Sequence, residues 1–92
     1  IAIATQRGLF EKMCSNVKEV KSRGAFVVMV SREDMNIDEE SVDYNVMLPV
    51  VSDLLMPLVT VVPLQLIAYY TAVYRGNDVD KPRNLAKSVT VE

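Results

Sequence analysis

Between Asp53 and Arg75 the chain runs for 21 residues without a charge, LLMPLVTVVPLQLIAYYTAVY. No other feature constrains the fold as much. Such a stretch is long enough to span a bilayer, and otherwise it has to be buried inside a protein. Its interior favours the buried helix. Gln65 and the paired Tyr69 and Tyr70 carry polar groups that a protein interior can satisfy. Pro57 and Pro63 each remove a helix hydrogen bond and bend the axis wherever they fall within it. Gly76 is a suitable C-terminal stop, so a helix is predicted over about residues 52–75.

The first half of the chain reads as a strand–helix–strand unit. Residues 1–5 are a short apolar run of buried-strand type. A helix is predicted over about residues 9–22, with Gly8 and Glu11 spaced as cap and third helical residue. Phe10, Met13, Val17 and Val20 recur on one face of it, and Gly24 ends it. Ala25-Phe26-Val27-Val28-Met29-Val30 is apolar at every position, as a central parallel strand covered on both faces should be. A further short strand is predicted near Tyr44–Leu48, closed by Pro49. The expected class is therefore α/β with parallel strands at residues 1–5, 25–31 and 44–48. A sheet this small leaves an open edge and an apolar helix face, so the chain is expected to associate with itself or with further parts of its lobe.

Composition narrows the function. With 92 residues the chain is one small domain at most, and a net charge of −2 gives no basic footprint for nucleic acid. The single cysteine, Cys14, and the absence of histidine leave no zinc ligand set and no internal disulfide. Neither metal nor cofactor is expected, and a reducing, cytoplasmic setting fits best. Cys14 reads as a small residue on a helix face. Asp34, Asn36 and Asp38 imitate the start of a calcium loop, but Glu39 stands where glycine is needed and Asn45 where glutamate is needed. Asp78 and Asp80 fit a loop better than an acid–base pair. The opening Ile1-Ala2-Ile3-Ala4, with no initiator methionine before it, is read as part of a larger protein.

The last thirty residues carry the most specific signal: Pro63-Leu64-Gln65-Leu66 on the long helix, Asp78-Val79-Asp80 in the loop, and the terminal PRNLAKSVTVE, residues 82–92. This stretch resembles the C-terminus of the glutamine–fructose-6-phosphate aminotransferase family. Asn16-Val17-Lys18-Glu19-Val20 and Arg23-Gly24 are similar to the preceding part of the same lobe, so the resemblance covers the whole chain. It implies a partial three-layer α/β/α lobe of the sugar-isomerase (SIS) type, incomplete in this chain. Residues 1–76 would be the C-terminal portion of the second SIS lobe, and residues 77–92 a tail over the sugar site. The apolar stretch would then be a lobe helix rather than a membrane span.

The resemblance also implies roles. Lys87 would be the catalytic lysine, forming a Schiff base with the open-chain sugar. Ala86 would place its backbone at the substrate, and Ala86 and Val89 would line the path of ammonia. Arg83 and Asn84 would anchor the tail. The phosphate-holding loops, the proton-transferring glutamate and the ring-opening histidine of that family lie upstream, outside this sequence. The piece alone is therefore expected to be inactive, with the remainder of the same enzyme as its partner, sugar phosphate as ligand and a homo-oligomer as the assembly. The competing reading is a non-catalytic SIS module that binds a sugar phosphate. A closing tail with a lysine favours the enzyme, since a binding module has no use for it.

Overall fold

The computed structural model describes residues 1–81. The elements follow in the order β1 (Ala2–Ala4), α1 (Arg7–Ser22), β2 (Val28–Arg32), a single 3-10 turn (Glu39–Ser41), β3 (Tyr44–Leu48) and α2 (Met56–Tyr74). The backbone divides into two compact units, Ile1–Val61 and a second beginning at Val62, so that α2 starts in one and ends in the other.

In the first unit the three strands form one parallel sheet in the order β1-β2-β3, with Ile3 beside Val30 and Val30 beside Val46. This is the α/β class with parallel strands that the apolar run 25–30 predicts, and it is consistent with part of a sugar-isomerase lobe. β2 is central and covered on both faces: Met29 is 1% exposed and Val30, which alternation turns to the opposite face, is 0% exposed. Met29 joins Ala4, Val17 and Val27 in the main core, with Phe10, Met13, Cys14, Ile37 and Val42 packed around it. Cys14 is half-buried on the core side of α1, and burial pushes its thiol pKa up.

Several boundaries differ from the sequence expectation. The cap of α1 is Gln6, which makes no side-chain capping bond, and Gly8 lies within the first turn rather than at the cap. Val20, expected on the buried face, is 46% exposed. β2 begins at Val28 rather than at residue 25. The Val27 amide donates to the Asp43 carboxylate at 2.6 Å, while the Val27 carbonyl accepts from the amides of Asp43 and Tyr44. α2 begins at Met56 rather than at residue 52, after a turn in which the Ser52 carbonyl accepts from the amides of Leu55 and Met56. Pro57 therefore falls in the first turn, where no amide donor is needed, and only Pro63 sits inside the helix.

The two helix stops are as predicted, and their geometry shows why. Gly24 and Gly76 have φ of 87° and 75°, in the left-handed region. After α1 the amide of Gly24 donates to the Lys21 carbonyl and that of Ala25 to the Val20 carbonyl; after α2 the Gly76 amide reaches Val73 and the Asn77 amide reaches Ala72. Both ends are Schellman closures that need a residue free to adopt positive φ. Gly8 needs no such freedom, and space is open around the Cβ position of both Gly8 and Gly24. The two substitutions therefore have opposite signs. Gly24→Ala will destabilise by about 1 kcal/mol through backbone strain, and Gly8→Ala will stabilise by a few tenths to about 1 kcal/mol through helix propensity. Denaturant midpoints of the two variants check this.

The second unit holds the C-terminal part of α2 and the loop after it. Tyr69 and Tyr70 meet edge to face at 5.2 Å. Asp78 accepts hydrogen bonds from the amides of Asp80 and Lys81, at 3.0 and 3.3 Å. That is an Asx turn, and it gives Asp78 the loop role expected of it. By length and composition α2 is long and apolar enough to cross a membrane.

Candidate functional site

In parallel α/β sheets ligands gather at the carboxyl ends of the strands. In the first unit the end of β2 carries Arg32, a 6% exposed arginine flanked by carboxylates. Its Nε and Nη2 donate to the two oxygens of Asp34 at 3.0 and 2.8 Å, and Nη1 donates to Asp53 at 3.1 Å. Arg7, at the start of α1, donates to the same Asp34 at 2.6 Å. Two guanidiniums and two carboxylates cancel. The hydrogen bond from Arg7, and then that from Arg32, hold the Asp34 pKa below the usual carboxylate range. This cluster ties the starts of α1 and of the loop before α2 to the centre of the sheet; it offers no uncompensated cation to a phosphate. Arg32 escaped the sequence reading because it stands at the edge of a polar loop. Its signal is an arginine at the end of a buried strand with an aspartate two residues on.

A second staple closes the other end of the sheet. Asp43 receives Lys21 Nζ at 2.6 Å on each oxygen and the Val27 amide at 2.6 Å. The hydrogen bond from Lys21, then that from the Val27 amide, lower its pKa. Asp38 caps the 3-10 turn, and the Glu40 amide followed by the Ser41 hydroxyl lowers its pKa as well. Asp34 and Asp38 are thus engaged separately, and no group of three potential metal ligands occurs among the described residues. A carboxylate whose pKa is depressed in the fold adds stability above its ordinary value near 4, and that stability is lost as pH falls through the folded value. Protection of the Val27 amide against hydrogen exchange will accordingly fall as pH drops below about 4. Asp43→Asn, which keeps the shape without the charge, will flatten that dependence.

Lys87, Ala86 and Val89, the expected sugar-site residues, and Arg83 and Asn84 with them, lie outside the described residues.

No family model matches the chain. Curated proteins do. The chain is 59% identical over all of its 92 residues to a glutamine–fructose-6-phosphate aminotransferase (isomerizing) of Caldanaerobacter subterraneus subsp. tengcongensis. It is 52% identical, again over its whole length, to the protein of the same name from Clostridium acetobutylicum, and 54% identical to that from Thermococcus kodakarensis. In each case it spans 15% of the relative's length. Identity of this order over every residue cannot arise from shared fold alone, and it agrees with the resemblance carried by the terminal motif. By sequence, the chain is a segment of the glutamine–fructose-6-phosphate aminotransferase (isomerizing) family.

Proposed function

We propose that the chain is part of the isomerase domain of an enzyme that makes glucosamine 6-phosphate from fructose 6-phosphate and glutamine. The observation that carries this reading is the 59% identity over the full chain to an aminotransferase of that name. Residues 1–76 form the later portion of the second sugar-isomerase lobe, and residues 77–92 form the tail over the sugar site. In that tail Lys87 is the amine that condenses with the open-chain sugar, Ala86 borders the sugar, and Ala86 and Val89 border the path of ammonia.

The surface of the described residues supports a chain that works as part of something larger. Leu58 is 66% exposed and Tyr70 64% exposed on a helix without charges, and Ile3 and Met47 are exposed on the two outer strands. We assign the covering of these surfaces to the remainder of the same enzyme, assembled as a homo-oligomer in the cytoplasm, with no membrane or nucleic acid involved. The chain by itself lacks recognisable phosphate-holding and proton-transferring groups, and is inactive.

The test is product formation. The full-length protein containing this segment is expected to convert fructose 6-phosphate and glutamine into glucosamine 6-phosphate with one glutamate released per turnover, while the 92-residue chain supplied with ammonia yields none. A full-length protein that binds fructose 6-phosphate but forms no product would favour the non-catalytic module instead.

A further inference from the structure

The connection from β2 to β3 is short for parallel strands. It comprises residues 33–43, where a crossover normally carries a helix, and contains only the turn Glu39–Ser41. Ile37 and Val42 of this connection pack on the same core as α1. Between α1 and this connection lies a cavity of about 360 Å³. Its floor is apolar, made by Phe10, Met29 and Ile37, and its rim carries Glu11, Lys18 and Asp38. The volume falls at the lower end of the range of small-molecule sites, and an apolar floor with a few polar groups at the mouth is their usual make-up.

The charges at the rim decide what the cavity prefers. Lys18 is already paired, with its Nζ 3.4 Å from an Asp38 oxygen, and Asp38 also accepts from the Glu40 amide and the Ser41 hydroxyl. Glu11 joins none of the ion pairs among the described residues. The mouth therefore presents one uncompensated carboxylate above an apolar floor. We propose that this cavity binds a small organic cation, an ammonium or guanidinium group carrying an apolar body of roughly ten heavy atoms. The apolar body displaces water from Phe10, Met29 and Ile37 while the cation meets Glu11. This site does not depend on the proposed activity.

The experiment uses the full-length protein, with 2-phenylethylammonium as the probe and the neutral 2-phenylethanol as its near-isostere, titrated by ligand-observed NMR. Saturable binding of the cation, several-fold tighter than the alcohol, is expected. Glu11→Gln, an exposed substitution, will weaken the cation roughly threefold to tenfold and leave the alcohol unchanged. Ser15 also lines the cavity, and Ser15→Trp, which places a large side chain there, will remove both. The proposal is overturned if the cation does not bind saturably, if cation and alcohol bind alike, or if binding survives Ser15→Trp. The first of these is the result to expect if another part of the enzyme already fills the cavity.

Discussion

Val30→Asp will cost this lobe roughly 4 kcal/mol or more, enough to unfold it in most contexts. Val30 is 0% exposed at the middle of the central strand, with Ile3 and Val46 as its neighbours on either side. An aspartate there has two choices. It can stay ionised in an apolar layer, which is the costlier state. Alternatively it can be neutral at pH 7, which requires raising its pKa by about three units from 3.9, or about 4 kcal/mol at 1.36 kcal/mol per unit. Val30→Thr provides the control, since it keeps the shape and adds only a hydroxyl. Its cost is about 1–3 kcal/mol, the penalty for an unpaired buried polar group. Hydrogen exchange over residues 26–32 in the full-length protein reads both variants locally. Comparable protection in the two variants would show that the far face of β2 is not sealed in the assembled lobe.

The elements legible in the sequence are those whose signal is periodic or conformational. The run Ala25–Val30 announced a strand covered on both faces, and Met29 and Val30 are buried back to back. Gly24 and Gly76 announced their helix ends, because a Schellman closure needs positive φ and little else supplies it. Boundaries set by individual side chains were not legible. Val27 leaves the strand because the carboxylate of Asp43, sixteen residues away, takes its amide. No window of local sequence contains that partnership. The cap at Gln6 uses no side-chain bond, so no residue type marked it, and Gly8 drew the assignment instead. Arg32 escaped for a related reason: its burial depends on Asp34 and Asp53 together, and Asp53 is twenty-one residues away. The proposed sugar site rests on a different kind of signal. A lysine that would form a Schiff base has no spacing or period of its own, so the proposal for Lys87 rests on the terminal motif PRNLAKSVTVE alone.

The role proposed for Lys87 predicts the largest functional effect. In the full-length enzyme, Lys87→Arg is expected to reduce synthesis of glucosamine 6-phosphate to below about one-thousandth of the parental rate. An amine attacks a carbonyl only when unprotonated, and a lysine near its ordinary pKa of about 10.4 is almost wholly charged at pH 7. Bringing that pKa close to 7 requires about three units, or roughly 4 kcal/mol of lost charge stabilisation, so the amine needs dry or locally positive surroundings. The adjacent sequence contains residue types that can provide both: Leu85, Ala86, Val89 and Val91 are apolar, and Arg83 is cationic. Guanidinium keeps its charge throughout the accessible pH range, so arginine keeps a side chain of similar length while removing the nucleophile. A second measurement separates the chemical role from a packing role. With fructose 6-phosphate and borohydride together, the imine is reduced to a stable secondary amine, and peptide mapping should find the sugar on Lys87 in the parent and nowhere in the Lys87→Arg enzyme. On the proposed reading, binding of the sugar phosphate is assigned to groups outside this segment and should change little. Sugar trapped on a different lysine, or a Lys87→Arg enzyme that keeps most of its rate, would remove Lys87 from the chemistry and leave the tail only a covering role.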